Sequence, residues 1–460
     1  MHVVINAKEF GLKKNSDKLQ TKAIQDAIDY CYKNGGGVVE IPEGNYFTGD
    51  IRIRSNITLH LLKGANLTGS KNPQDYFNYL NDNIEPLNKN QITDAGYVHL
   101  STILNEKSYE DEKSEYRFKR IVGSRWNNAV IRAVDAQNIK IIGEEGSVID
   151  GANCFDEIGE EEYRGPHGIT FFNCTNIELN GYTIKNAGNW AHNLLFCDNI
   201  TADNITVLAG HDGFDASVCN NLKIVNSKFY TGDDCIAGVG NVNTYVSECV
   251  LNSSCSAMRF GGSNVLVEKC DICGPGKYCF RGSMTDEEKR NSKPSKTKGK
   301  RNNMLSAFTY YADYSLPIKV QPGNIIISDC TIKMADRFLH YNYSGNETWQ
   351  KHRPLESIEF RNIKAEGVKM PVTAYGDENI PVKLTLKDIE ITLREGYENI
   401  DLIHACNYSS IVLDNVSVSG FKGECMVRKW SEGEILFKNV KPDNINKVKK
   451  ASKPFFTEAI

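Results

Sequence analysis

The chain has 460 residues, 40% of them hydrophobic, and a formal net charge of −4. That size supports a sizeable core, and the near-neutral charge excludes nucleic acid as the main partner, since phosphate-binding chains carry a basic excess. No run of about 18 apolar residues occurs, so no membrane span is predicted.

The N-terminal "MHVVINAKEFG" shows no basic region followed by an apolar one, so the expectation is a protein without a secretion signal, working in the cytoplasm. A helix is predicted over about residues 17–34. Ala23, Ile24, Ala27, Ile28 and Cys31 share one face, and glycines after Asn34 end it. Beyond it, an Asn-apolar pair opens short β-like runs at Asn138, Asn176, Asn199, Asn221, Asn264 and Asn324. Similar runs begin at Ser357, Leu384, Ser410 and Glu434. The spacing near 22 residues, β-branched runs and Asn/Gly punctuation predict an all-β solenoid, a right-handed parallel β-helix forming one domain over 1–460, with the helix capping its open end. Cys174, Cys197 and Cys219 recur in one frame and read as a stack of reduced side chains rather than bridges. Cys270, Cys273 and Cys279 lack the second pair that zinc sites show, so neither a metal nor another cofactor is expected. Two charged stretches break the period, Glu106–Arg120 and Lys289–Arg301. The second belongs to a basic insertion at about 285–318. Such runs are usually solvated loops, and the functional reading is a flap over an acidic substrate.

Between them lies "HDGFDASVCNNLKIVNSKFYTGDDC", residues 211–235, with four aspartates in two groups. Residues one period apart stack about 4.8 Å apart in a coiled β array. Steps of 22 run from Asp212 to Asp234, Ser256 and Tyr278, and from Asp215 to Ala237, Arg259 and Arg281. The aspartates are therefore predicted to share one patch with two stacked arginines. Asp215 reads first as a turn residue, with a substrate contact as its functional reading. Asp233 and Asp234 reach one cleft if the chain bends at Gly232, and crowded like charges leave one carboxyl protonated and one ionised, the division an acid/base glycosidase needs.

These residues resemble glycoside hydrolase family 28, the polygalacturonase family of pectin-degrading β-helices. "HDGFD" resembles its Asn-Thr-Asp-Gly-x-Asp motif, and "TGDDCIA" resembles Gly-Asp-Asp-Cys-x-Ala. "INAKEFG…TKAIQDAID" and "NAGNWAHNLLFCDNITADNITV" resemble the family's N-terminal region and first coils. The resemblance implies inverting hydrolysis of a galacturonosyl linkage, with Asp233 as general acid and Asp212 and Asp234 holding the attacking water. Two departures accompany it. The expected Gly-His-Gly reads "CSAMRFGG", with Ser256 in the histidine position, and the Arg-Ile-Lys motif is missing. Arg259, Arg281 and Lys277 are the candidate grips on a uronate carboxylate. His211 and His192 are candidate replacements for the imidazole, and Trp190 and Tyr278 candidate sugar platforms. The partner expected is an acidic poly- or oligosaccharide, attacked from its end. The alternatives are a Ca²⁺-dependent polysaccharide lyase, because grouped aspartates can hold that cation, and an inactive carbohydrate-binding β-helix.

Overall fold

The computed structural model describes residues 3–76, 128–291, 299–312, 320–343, 348–350 and 353–451. The charged stretch Glu106–Arg120 and residues 292–298 and 313–318 of the basic insertion lie outside them.

Among the described residues every ladder between strands is parallel, and strands three apart in sequence pair in the early coils, which makes a three-faced helix of β-coils. One inward column runs Ile177, Ile200, Leu222, Thr244, Val265, Ile325, Ile358, Leu384 and Ile411. Each of these side chains is at most 2% exposed. The Ser357, Ser410 and Glu434 runs lie in register with one another through Lys383.

The asparagines form a ladder at the entry to this face. Each side-chain amide donates to the carboxamide one coil earlier, from Asn138 onto Asn56 and on through Asn176, Asn199, Asn221, Asn243, Asn264 and Asn324. All eight adopt left-handed backbone, with φ between 51° and 61°. Asparagine tolerates that conformation, and stacking satisfies its amide. Asn243 is the missing coil between Asn221 and Asn264. Cys174, Cys197 and Cys219 stack just inside, each Sγ near backbone carbonyls, and the described cysteines form no disulfide.

The capping helix spans Thr21–Lys33 and buries Ile24, Ala27, Ile28 and Cys31. Gln25 accepts from the Arg52 N–H and donates to its C=O, satisfying backbone groups at the open end of the first coil.

The insertion breaks the 22-residue arithmetic. The chain leaves the coil after Cys273 and rejoins at Met304, so Ser306 pairs with Ser256, and Thr309 with Arg259. Tyr278 and Arg281 are thus not the next members of the two columns. Residues 276–281 instead run back along the turns of three earlier coils. Lys277 N–H bonds Asn252, the Tyr278 carbonyl accepts from Ser254 Oγ, and Arg281 N–H reaches the Gly210 carbonyl. Gly232 makes this possible: a Cβ there would lie 2.2 Å from the Cys279 oxygen and 2.4 Å from the Gly210 oxygen. Close approach, rather than an unusual φ, is what its missing side chain permits.

Candidate active site

The aspartates sit where two successive coils turn onto one face. Asp212 follows the Gly210 turn, and Asp233 and Asp234 follow the Gly232 turn in the bend before the strand Ile236–Ser247. The predicted stack Asp212–Asp234–Ser256 is present. Asp212 Oδ1 accepts from the Asp234 N–H at 3.2 Å, and Asp234 Oδ1 accepts from the Ser256 N–H at 2.9 Å. The second column also holds as far as Arg259: Asn193, Asp215, Ala237 and Arg259 pair in register.

Asp212 and Asp234 are buried, and Asp233 is half-buried. Burial, reinforced by Asp233, Asp234 and Asp215 and opposed by Arg259, pushes the Asp212 carboxyl well above the usual carboxylate range. Burial and then Asp233 raise Asp234 to about 7, against the pull of Arg259 and the Ser256 donors. Burial outweighs mutual repulsion as the cause of both shifts. Arg259 Nη1 stands 3.9 Å from Asp234 Oδ2. Its guanidinium lies over Tyr311, 4.3 Å from the ring centre, and against Trp349 at 4.7 Å. Both rings are attractive partners for a cation. The side chain remains 34% exposed, so it faces both the carboxylates and solvent.

The other nominated residues separate from this centre. Arg281 is buried, and its guanidinium donates to the carbonyls of Gly188, Asn153 and Lys289. It anchors the insertion to earlier coils, and burial lowers its pKa to about 10. Lys277 is exposed but lies over the Tyr230 ring, 4.1 Å from its centre. Tyr278 is half-buried on the returning segment. His192 lies inside the coil. It bonds Tyr182 Oη and the Gly213 carbonyl, stacks on Phe214, and is held near 4 by burial. His211 is fully buried and stacked on Tyr163, with its pKa pushed well down by burial and by the neighbouring Arg164 and Arg281. Trp190 is 5% exposed and packs on His167. Neither histidine nor Trp190 presents a surface to a sugar. Asp215 is buried within the strand Phe214–Ser217 rather than in a turn; its carboxylate accepts from Ser217 Oγ and helps raise Asp212.

The described basic residues of the insertion are engaged locally. Lys289 pairs with Asp286, Arg290 with Glu157 and Lys300 with Glu288. Sequence reasoning missed Tyr311, Trp349 and Cys255. The first two come from later coils with no periodic link to Arg259. Cys255 follows 22 residues after Asp233 in the same arithmetic, and that step identifies it.

Residues 112–292 match the model of the glycosyl hydrolases family 28. Over 258 residues, 52% of this chain, it is 27% identical to an exo-poly-alpha-D-galacturonosidase of Dickeya chrysanthemi. Over 240 residues it is 23% identical to a probable polygalacturonase of Vitis vinifera. These alignments span only 42% and 43% of those relatives' own lengths. An exopolygalacturonase from Thermotoga maritima superposes with a TM-score of 0.62 at 17% identity, covering 91% of this chain and 92% of that one. A family 28 exopolygalacturonase of Yersinia enterocolitica gives 0.59 at 16% identity, covering 99% of this chain and 79% of that one. At such identities the superpositions speak for the fold, a right-handed parallel β-helix. Family match, relatives and fold all point the same way: residues 112–292 resemble the glycosyl hydrolases family 28, carried on a right-handed parallel β-helix.

Proposed function

We propose that the protein is a polygalacturonase-like glycoside hydrolase that cleaves an acidic oligosaccharide from its end with inversion. The carrying observation is the stack of Asp212, Asp233 and Asp234 beside a solvent-facing arginine. In this reading Asp233, the most accessible of the three, protonates the leaving oxygen. Asp212 and Asp234, joined through the Asp234 N–H, hold and activate water on the opposite face of the sugar. Arg259 is positioned to take a uronate carboxylate through its guanidinium fork, and the two rings hold that fork in place. The end-wise mode rests on the exo-acting relative and on the insertion lying along the site edge.

Oligogalacturonides incubated with the protein, with and without chelator, test this through product masses and the anomer formed first. Products heavier by one water, unaffected by chelator, of inverted configuration and lost in Asp233→Asn support the reading. Unsaturated products that vanish with chelator establish a lyase instead. Retained configuration overturns inversion, and long oligomers cut internally overturn the end-wise mode.

A further inference from the structure

Asp233 has a second neighbour that hydrolysis does not use. Cys255 stands one coil beyond it, and oxygens of Asp233 and Asp234 and the Cys255 Sγ all lie within 4.8 Å of one another. Backbone bonds fix this grouping. Ser253 Oγ donates to the Asp233 carbonyl at 2.6 Å and accepts from the Cys255 N–H at 2.7 Å, and Thr231 Oγ1 donates to the same carbonyl at 2.7 Å. Asp233 and Cys255 are half-buried, hence reachable. Asp234 is wholly buried; Ser256 occupies its Oδ1, while its Oδ2 has no hydrogen-bond partner.

We propose that Asp233, Asp234 and Cys255 form a site for a soft divalent cation, zinc or cadmium, which occupies the carboxylate cleft and blocks it. The donor set decides the class of ion. Thiolate with carboxylate suits zinc and cadmium, whereas calcium and magnesium take oxygen ligands throughout. A tetrahedral zinc holds such atoms about 3.5 Å apart, so the half-buried Asp233 and Cys255 side chains close by about 1 Å, and the larger cadmium ion needs less. The ion displaces the thiol proton to solvent as the Cys255 sulfur bonds to it. Burial and the two carboxylates hold that proton on firmly in the free protein, so the thiol is not a ready nucleophile, and capture needs an ion strong enough to displace the proton. The two carboxylates and one thiolate exceed the charge of one divalent ion, and Arg259 beside Asp234 offsets the excess.

The test is a titration of the purified full chain with cadmium chloride, followed by the thiolate-to-cadmium ultraviolet band and by calorimetry. One ion per chain is expected, with affinity reduced at least about tenfold, or about 1.4 kcal/mol, in Cys255→Ser and again in Asp233→Asn, and no response to calcium. Thermal melts of Cys255→Ser and Cys255→Ala establish that the variants are folded. A band unchanged in both cysteine variants assigns the ion to the other thirteen thiols and overturns the proposal, as does absence of binding below millimolar cadmium. This readout requires no turnover, so it stands or falls apart from the hydrolase reading. Where oligogalacturonide is cleaved, zinc inhibition is expected to weaken in Cys255→Ser.

Discussion

Replacing Asp234 with asparagine should stabilise the protein while destroying its chemistry, and the gain should depend on pH. The carboxyl rises from its ordinary 3.8 to about 7 in the fold. Each unit corresponds to about 1.4 kcal/mol, so keeping this group ionised costs the folded state up to about 4 kcal/mol. The folded chain therefore binds more protons than the unfolded chain between about pH 4 and pH 7, and its stability falls as pH rises through that window. Asparagine retains an oxygen for the Ser256 N–H and carries no charge, so the variant lacks this slope. Melts at about pH 4, 6 and 8 should show wild type and variant alike at the lowest value, with the variant ahead by about 2–4 kcal/mol at the highest. An equal gap at every pH would attribute the effect to packing, and no gap at about pH 8 would refute the reasoning that burial of charge dominates this site.

Further outcomes follow from the same geometry. If Asp234 must be ionised to activate water, kcat/KM should fall below about pH 7, and Arg259→Ala should move that limb to higher pH, because Arg259 pulls Asp234 down; an unmoved limb would break the link. Arg259→Lys should raise KM for uronate oligomers more than it lowers kcat, since lysine loses the fork and its stacking on Tyr311 and Trp349. Gly232→Ala should cost about 2–4 kcal/mol in denaturant melts, because its Cβ meets backbone oxygens that have no room to yield. Asn221→Ala should cost about 2 kcal/mol, combining two lost ladder bonds with a left-handed backbone. Asn221→Gly should cost less, since glycine accepts that φ.

Much of this protein was legible because its folding rule is local and repeated. An asparagine that tolerates positive φ, followed by alternating apolar residues, specifies one coil, and equal coils stack in register. Period arithmetic thus placed Asp212 under Asp234 and Ser256, and Asp215 in line with Arg259. The same arithmetic predicted Tyr278 and Arg281 as the next members, and there it failed. It holds only while every coil has the same length, and the insertion after Cys273 removes thirty residues, 274–303, from the stack. Where that segment goes is decided by space left over the Gly210 and Gly232 turns and by the carbonyls that receive the Arg281 guanidinium. Burial of His192 and His211 was equally invisible, because a histidine's code letter does not say which side of a coil it faces. Composition and period alone determined the β-helix and the carboxylate stack. The arginine held against Tyr311 and Trp349 exists only because segments distant in sequence pack side by side.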